Sequence, residues 1–316
     1  MIDSDTVAGR WDSSYHAPVM VEEVVELLKG ASEVLDCTLG GGGHTEALLA
    51  AGASVVAIDR DEAAVNEARK RLASYETAGR FRPIRGNFGE IDRFEEIAGR
   101  TFDGILADLG VSSHQIDAED RGFSFRPGAL LDMRMDRRGT GTAADLLNTL
   151  DEADLSHIFH DYGDEPRAGR LAREIVRRRQ RKAMHVSDDL VDAIRGAYGA
   201  RTGPGDFARL FQAVRIAVND ELGALERALP LLRDRLEPGG VLVVISYHSG
   251  EDRLVKHTMR EWSMDCICPP KQLTCTCRGK ALGQLLTKRA LKASDIETKT
   301  NPRSRSARLR AWRRAA

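Results

Sequence analysis

Little in this chain suits a membrane or a secreted scaffold. No apolar run is long enough to span a bilayer, and the opening residues MIDSDTVAGRW lack a secretory-signal pattern. Five cysteines in 316 residues, an odd number, do not read as a disulfide framework. Net charge is almost absent, at −1, and no internal repeat is visible. These absences point to a cytoplasmic protein that does not engage membrane.

What is present is more specific. A hydrophobic content of 42% supports a sizeable core, and the length suggests a main domain with an insertion or second lobe. The near-zero charge conceals two basic stretches. Arg167 to Lys182 holds eight basic residues against the single acid Glu174, and Asn301 to Ala316 holds six arginines and no acid. Local basic stripes on a neutral chain fit contact with a polyanion along chosen faces; a solvated helix face and a frayed tail are the plainer alternative.

The chain is organised around LDCTLGGGGHTEALLA, Leu35 to Ala50. The spacing predicts a short buried strand through Leu39, a turn over Gly40 to Gly43, and a helix opening at His44 or Thr45. Glycines admit a ligand close to the backbone, and a helix start presents unpaired N–H groups. Thr45 stands where the third glycine of G-x-G-x-x-G would fall, which weakens a nicotinamide reading. A bare tight turn is the alternative.

Further buried runs follow in parallel-strand style. Ser54 to Ile58 ends in Asp59, Phe81 to Ile84 leads to Phe88, and Phe102 to Leu106 ends at Asp108, with a helix over Ala63 to Leu72. Strands alternating with helices predict an α/β, doubly wound, mostly parallel Rossmann-like sheet. From Val111 to Arg138 the pattern becomes loop-like, and helical patterns then dominate from Ala143 to about Leu229. Glu237 to Gly240 reads as a turn, and Val241 to Ser246 returns to the sheet. The expected division is 1–110 with 215–316 as the main domain, and 111–214 as an inserted helical domain.

In such a sheet, ligands bind beyond the carboxyl ends of the strands. Asp59 is placed to accept both hydroxyls of a ribose, with a helix N-cap as its alternative role. Phe88 could lie against an adenine or simply pack in the core.

HAPV from His16, LDCTLGGGGH, AIDRD, GILADLGVSSHQID, RGFSF, LDMRMD, FQAVRIAVNDEL, ISYHSGEDR and NPRSRSARLR run in order over nearly the whole chain. Together they resemble the bacterial 16S rRNA (cytosine-N4) methyltransferase family, RsmH or MraW. The resemblance implies a class I methyltransferase fold, S-adenosylmethionine as cofactor, and methylation of N4 of a decoding-centre cytidine in 16S rRNA of the small ribosomal subunit. Carried over by motif, it implies cofactor contacts at Gly42, Gly43, His44, Asp59, Phe88, Asp108 and Gln115. Gly250 replaces the usual leucine of HSLEDR, loosening the turn after His248.

A cytosine amine is a poor nucleophile, so alignment matters more than a strong base. The catalytic candidates are Asp108, Asp132 and His248. Asp108 also has a competing cofactor role, Asp132 has Arg134 or Arg126 as possible partners, and His248 fits a structural role equally well. Arg177, Arg178, Arg179, Arg215, Arg303 and Arg305 are candidate RNA contacts, with phosphates the expected target. Arg215 and Asn219 lie one helical turn apart and belong either to the site or to a structural polar network. Phe123 and Phe125 are candidates for base stacking or for core packing. Cys266, Cys268, Cys275 and Cys277 form C-x-C-x6-C-x-C, the right number for tetrahedral zinc but tighter than usual spacing; reduced thiols without metal are the favoured expectation. The oligomeric state, monomer or dimer, is left open.

Overall fold

The computed structural model describes Trp11, residues 17–139, 141–270, 272 and 274–316, excluding the side chains of 113, 114 and 119. His16 of the first motif block lies outside the described residues. In chain order the strands are β1 (Glu33–Asp36), β2 (Ser54–Asp59), β3 (Phe81–Arg85), β4 (Phe102–Asp108), β5 (Leu236–Ser246), β6 (Gly283–Leu285) and β7 (Arg308–Arg314). The helices are α1 (Val21–Leu27), α2 (Gly43–Ala50), α3 (Glu62–Arg71), α4 (Ala73–Thr77), α5 (Ser113–Asp117), α6 (Ala143–Thr149), α7 (Glu152–His157), α8 (Ala168–Arg179), α9 (Ser187–Tyr198), α10 (Pro204–Asn219), α11 (Glu221–Asp234), α12 (Ser249–Trp262) and α13 (Asp295–Thr300).

The seven strands form one sheet in the order β3-β2-β1-β4-β5-β7-β6. β7 runs antiparallel to both its neighbours, while β1 to β5 pair in parallel. This is the class I methyltransferase arrangement, with its order reversing beside β1 and β4. Alternate strand residues explain the two-sided core. Val34, Val55, Leu106 and Val243 pack on one face with α1 to α3. Leu35, Val56, Ile105 and Val244 pack on the other with α11 and α12. Each such fully buried aliphatic side chain contributes about 1.5–3 kcal/mol relative to exposure.

Three boundaries differ from expectation. β1 ends at Asp36, although the Cys37 and Leu39 amides still bond to Leu106 and Ile58 at 2.8 and 2.9 Å. Glu237 to Gly240 is a bulge inside β5: Leu236 pairs with Phe102, and Val241 already pairs with Gly104. The arginine-rich C-terminus is not a frayed tail but β7, whose Leu309, Ala311 and Trp312 are fully buried. The Trp312 ring meets Trp262 edge-on at 5.1 Å, fixing β7 against α12.

The chain divides into two compact units, Met1–Gly110 with Gly223–Ala316, and Val111–Leu222. The second has its own core, including Leu147, Phe159, Leu171, Ile175, Leu210 and Val214. Helix α8 buries Ala168, Leu171, Ala172 and Ile175 at helical spacing, which turns most of its arginines outward. Phe125 packs against Phe207 and Phe211 at 5.9 and 6.1 Å. Phe123 lies under the Arg121 guanidinium, so both phenylalanines of RGFSF are engaged in packing.

Candidate active site

The carboxyl ends of β1, β2 and β4 converge on the glycine turn. Gly42 caps α2, which opens at Gly43, one residue earlier than expected. Gly40 and Gly42 take φ of 50° and 81°, a conformation that favours glycine. A Cβ on Gly43 would come within 2.7 Å of Pro18 Cγ, so the first turn of α2 lies directly on the segment before α1.

Beneath the turn sits Asp36, fully buried. Its carboxyl accepts the Thr45 hydroxyl at 2.7 Å and the Thr38 amide at 3.0 Å. Burial raises its pKa, and these two bonds oppose the rise. Thr45, at the position of the missing third glycine, therefore supplies a hydroxyl to a buried acid.

Asp59 ends β2 and accepts the Gly40 amide on Oδ2 and the Asp61 amide on Oδ1, both at 2.8 Å. The N-cap of α3 is Asp61, which accepts the Ala63 amide at 3.0 Å. Asp59 thus ties the glycine turn to β2 and keeps further acceptor capacity on each oxygen. Burial lifts its pKa to about 6 against the pull of those two amides. Phe88, just past β3, is half-buried against the core, with the Arg60 guanidinium 6.0 Å from its ring centre.

Asp108 ends β4. Its amide donates to Thr38 Oγ1 at 2.7 Å, and its Oδ1 accepts the Tyr247 hydroxyl at 2.8 Å. His44 Nδ1 stands 3.6 Å from its Oδ2, while His44 Nε2 is 2.9 Å from the Val19 carbonyl. A carbonyl oxygen only accepts, so the network assigns a hydrogen to Nε2. Nδ1 is thereby turned toward the Asp108 carboxyl. Burial raises the Asp108 pKa to about 6; His44 and Tyr247 lower it, while Asp36 and Glu251 add to the rise.

His248 caps α12. Its Nδ1 accepts the Glu251 amide at 3.4 Å, which leaves Nε2 as the N–H side of the ring. Nε2 is 3.2 Å from Glu251 Oε1 but poorly aligned for a hydrogen bond. Glu251 is itself buried and accepts the Tyr247 amide at 2.9 Å. Asp36, Tyr247 and Glu251 were not singled out from the sequence. An acid inside the apolar run VLDCTL was the available signal for Asp36.

In the Val111–Leu222 unit, buried Gln115 accepts the Ser112 amide at 2.9 Å. Asp132 accepts two 2.8 Å bonds from Arg134 Nε and Nη2. Partial burial raises the Asp132 pKa, but Arg134 outweighs it and leaves the carboxyl below its ordinary value. Such an acid is a weak base. Arg215 is held by Glu221 through two bonds of 2.8 and 2.9 Å. Asn219 bonds the Met135 amide and the Met133 and Arg215 carbonyls, so this pair forms a structural polar network. Arg177 and Arg178 both bond Glu174, and Arg179 donates to the Leu147 carbonyl at 2.7 Å. In the other unit Arg303 and Arg305 are exposed, whereas Arg310 is buried against Asp252 at 2.7 and 3.0 Å.

The sequence profile of the MraW methylase family matches residues 13–315. A protein of Gemmatimonas aurantiaca named ribosomal RNA small subunit methyltransferase H is 58% identical over 96% of this chain and 96% of its own length. One of the same name from Heliobacterium modesticaldum is 45% identical, over 94% and 97%. Among solved structures, an rRNA methylase from Streptococcus thermophilus aligns over 94% of both chains, with 11% identity and a TM-score of 0.42. A Streptococcus mutans protein solved with SAH aligns over 94% and 99%, with 13% identity and a TM-score of 0.42.

Proposed function

The chain belongs to the MraW methylase family, and on that premise we propose that it methylates N4 of a cytidine in the decoding centre of 16S rRNA. Its methyl donor is S-adenosylmethionine. The observation that carries the reading is Asp108, a buried carboxyl at a strand end beside the glycine turn, gripped by Tyr247 and His44. The two relatives named for small-subunit rRNA support the substrate class.

The residues present fit this cofactor. The Gly42–Gly43 backbone and the start of α2 allow close approach, and Asp59 has acceptor capacity for ribose hydroxyls. A carboxylate there disfavours a phosphorylated ribose by repulsion. Phe88 provides a flat face for the adenine, His44 shapes the mouth, and Gln115 joins by family resemblance. When bound, the cofactor supplies an electrophilic methyl group on a sulfonium.

Asp108 then acts on the acceptor. Its carboxylate accepts a hydrogen bond from the amine, turning the nitrogen lone pair toward the methyl group, and takes the proton late. Alignment of this kind supplies about 7–11 kcal/mol in favourable cases. His248, with Nδ1 already occupied, suits orienting the base through its Nε2 hydrogen rather than removing a proton. Asp132 serves to hold Arg134. The 111–214 insertion carries substrate recognition, with Arg177 and Arg178 of α8 on phosphates, and Arg303 and Arg305 adding a second basic patch. We place the protein in the cytoplasm, where the small subunit matures; no helix among the described residues is long and apolar enough to cross a membrane.

Nucleoside analysis of 16S rRNA from cells with and without this gene tests the reading. Loss of N4-methylcytidine on deletion supports it, and an unchanged level refutes it.

A further inference from the structure

We propose that Cys266, Cys268, Cys275 and Cys277 together bind one zinc ion in a tetrahedral site that holds the arm between α12 and β6.

The arm, residues 263–282, contains neither helix nor strand among its described residues. Its base is closed by the Leu282 amide on the Trp262 carbonyl at 2.8 Å and the Ala281 amide on Asp265 at 3.1 Å. Above that base the apolar side chains among the described residues are largely in water: Met264 and Ile267 are 44% and 41% exposed. A long irregular segment whose apolar side chains face water lacks the burial that offsets its ordering entropy. Arg278 ties the returning side of the arm to the Glu261 and Met264 carbonyls, and the cysteines are the next groups placed to fix it.

The four sulfurs converge instead. All lie within 4.8 Å of one another. Cys275 Sγ is 3.8 Å from Cys266, 3.9 Å from Cys268 and 3.5 Å from Cys277, and Cys277 is 3.8 Å from Cys266. A zinc–sulfur bond of about 2.3 Å with tetrahedral angles sets sulfurs about 3.8 Å apart. Four of the six separations therefore match the edges of a ZnS4 tetrahedron, and the other two lie within 4.8 Å. Two disulfides would pair the sulfurs two by two, whereas Cys275 is nearly equidistant from three partners. An iron–sulfur cluster would spread its cysteines over separate irons and hold them farther apart. The Ile267 amide points at Cys277 Sγ at 3.3 Å, a bond that favours thiolate and orients a ligand.

The tight C-x-C spacing, which on sequence grounds favoured free thiols, places two sulfurs from each side of the arm on one centre. Four protein ligands leave no open position, so the site is structural. Helix α12 separates it from His248 by about 21 Å of helix axis. Binding converts four thiols to thiolates, releases four protons and leaves a centre of charge −2.

The test uses the full-length protein purified from zinc-replete medium. Elemental analysis is expected to give about one zinc per chain, absent in Cys275→Ser and retained in Cys37→Ser, whose cysteine is buried in the sheet domain. After chelation, cobalt(II) added to the wild-type protein is expected to produce the thiolate charge-transfer and tetrahedral d–d bands. The cobalt arm decides the matter even if Cys275→Ser misfolds. Zinc at trace level with no cobalt bands, iron in place of zinc, or disulfides among these four cysteines in freshly isolated protein would overturn the proposal.

Discussion

The Tyr247 hydroxyl donates to Asp108 Oδ1 at 2.8 Å, joining the residue after β5 to the end of β4. The bond stabilises the charged form of a carboxyl that burial raises to about 6 even with this bond in place. If methyl transfer uses that carboxylate as proposed, activity is expected to fall as pH drops through about 6. Tyr247→Phe removes one stabilising bond and moves the acid limb up by on the order of one pH unit. A pH–rate profile of the variant checks it; an unmoved limb would separate Asp108 from the rate.

Stability follows the opposite sign. A carboxyl raised in the folded state favours folding below its unfolded pKa, and that contribution disappears as pH rises through the folded value. Asp108→Asn is therefore expected to stabilise the protein at pH 8 relative to pH 5, by about 1–3 kcal/mol, while abolishing methyl transfer. Denaturant melts at the two pH values measure this. Equal effects at both would contradict the buried, titrating carboxyl.

Asp59 is predicted to matter for the donor rather than the acceptor. Asp59→Asn keeps the side chain's size and weakens S-adenosylmethionine binding by about 10–100-fold, the loss of a charged acceptor. Calorimetric titration reads it directly. Affinity for the RNA should not change.

The architecture was largely legible because its strands are short buried runs ending in acid or glycine. What was hidden has physical causes. Asp59 and Asp61 both stand at the start of α3, and the Gly40 bond separates the acid tied to the glycine turn from the cap. β7 was obscured because arginines alternate with its buried Leu309 and Ala311, and Arg310 is drawn inside by Asp252, distant in sequence. The Tyr247 role depends on β4 and β5 lying side by side, a pairing no local pattern reveals. For the same reason the convergence of two C-x-C pairs cannot be read from their spacing.

Arg215 and the α8 arginines should respond differently. Arg215→Ala strips buried Glu221 of a bidentate partner and costs roughly 3 kcal/mol of stability, seen in denaturant melts. Replacing Arg177, Arg178 and Arg179 together should weaken RNA binding and flatten its salt dependence, by about 0.7–0.9 in slope for each phosphate no longer neutralised. Unchanged slopes would mean a merely solvated face.

The most direct measurement of the central claim is methyl transfer by the purified protein from labelled S-adenosylmethionine to small ribosomal subunits lacking the modification. The rRNA is then digested to nucleosides. The account predicts label in N4-methylcytidine from 16S rRNA, and none with Asp108→Asn. Label in another nucleoside, or no transfer by a protein that binds the donor, would contradict it.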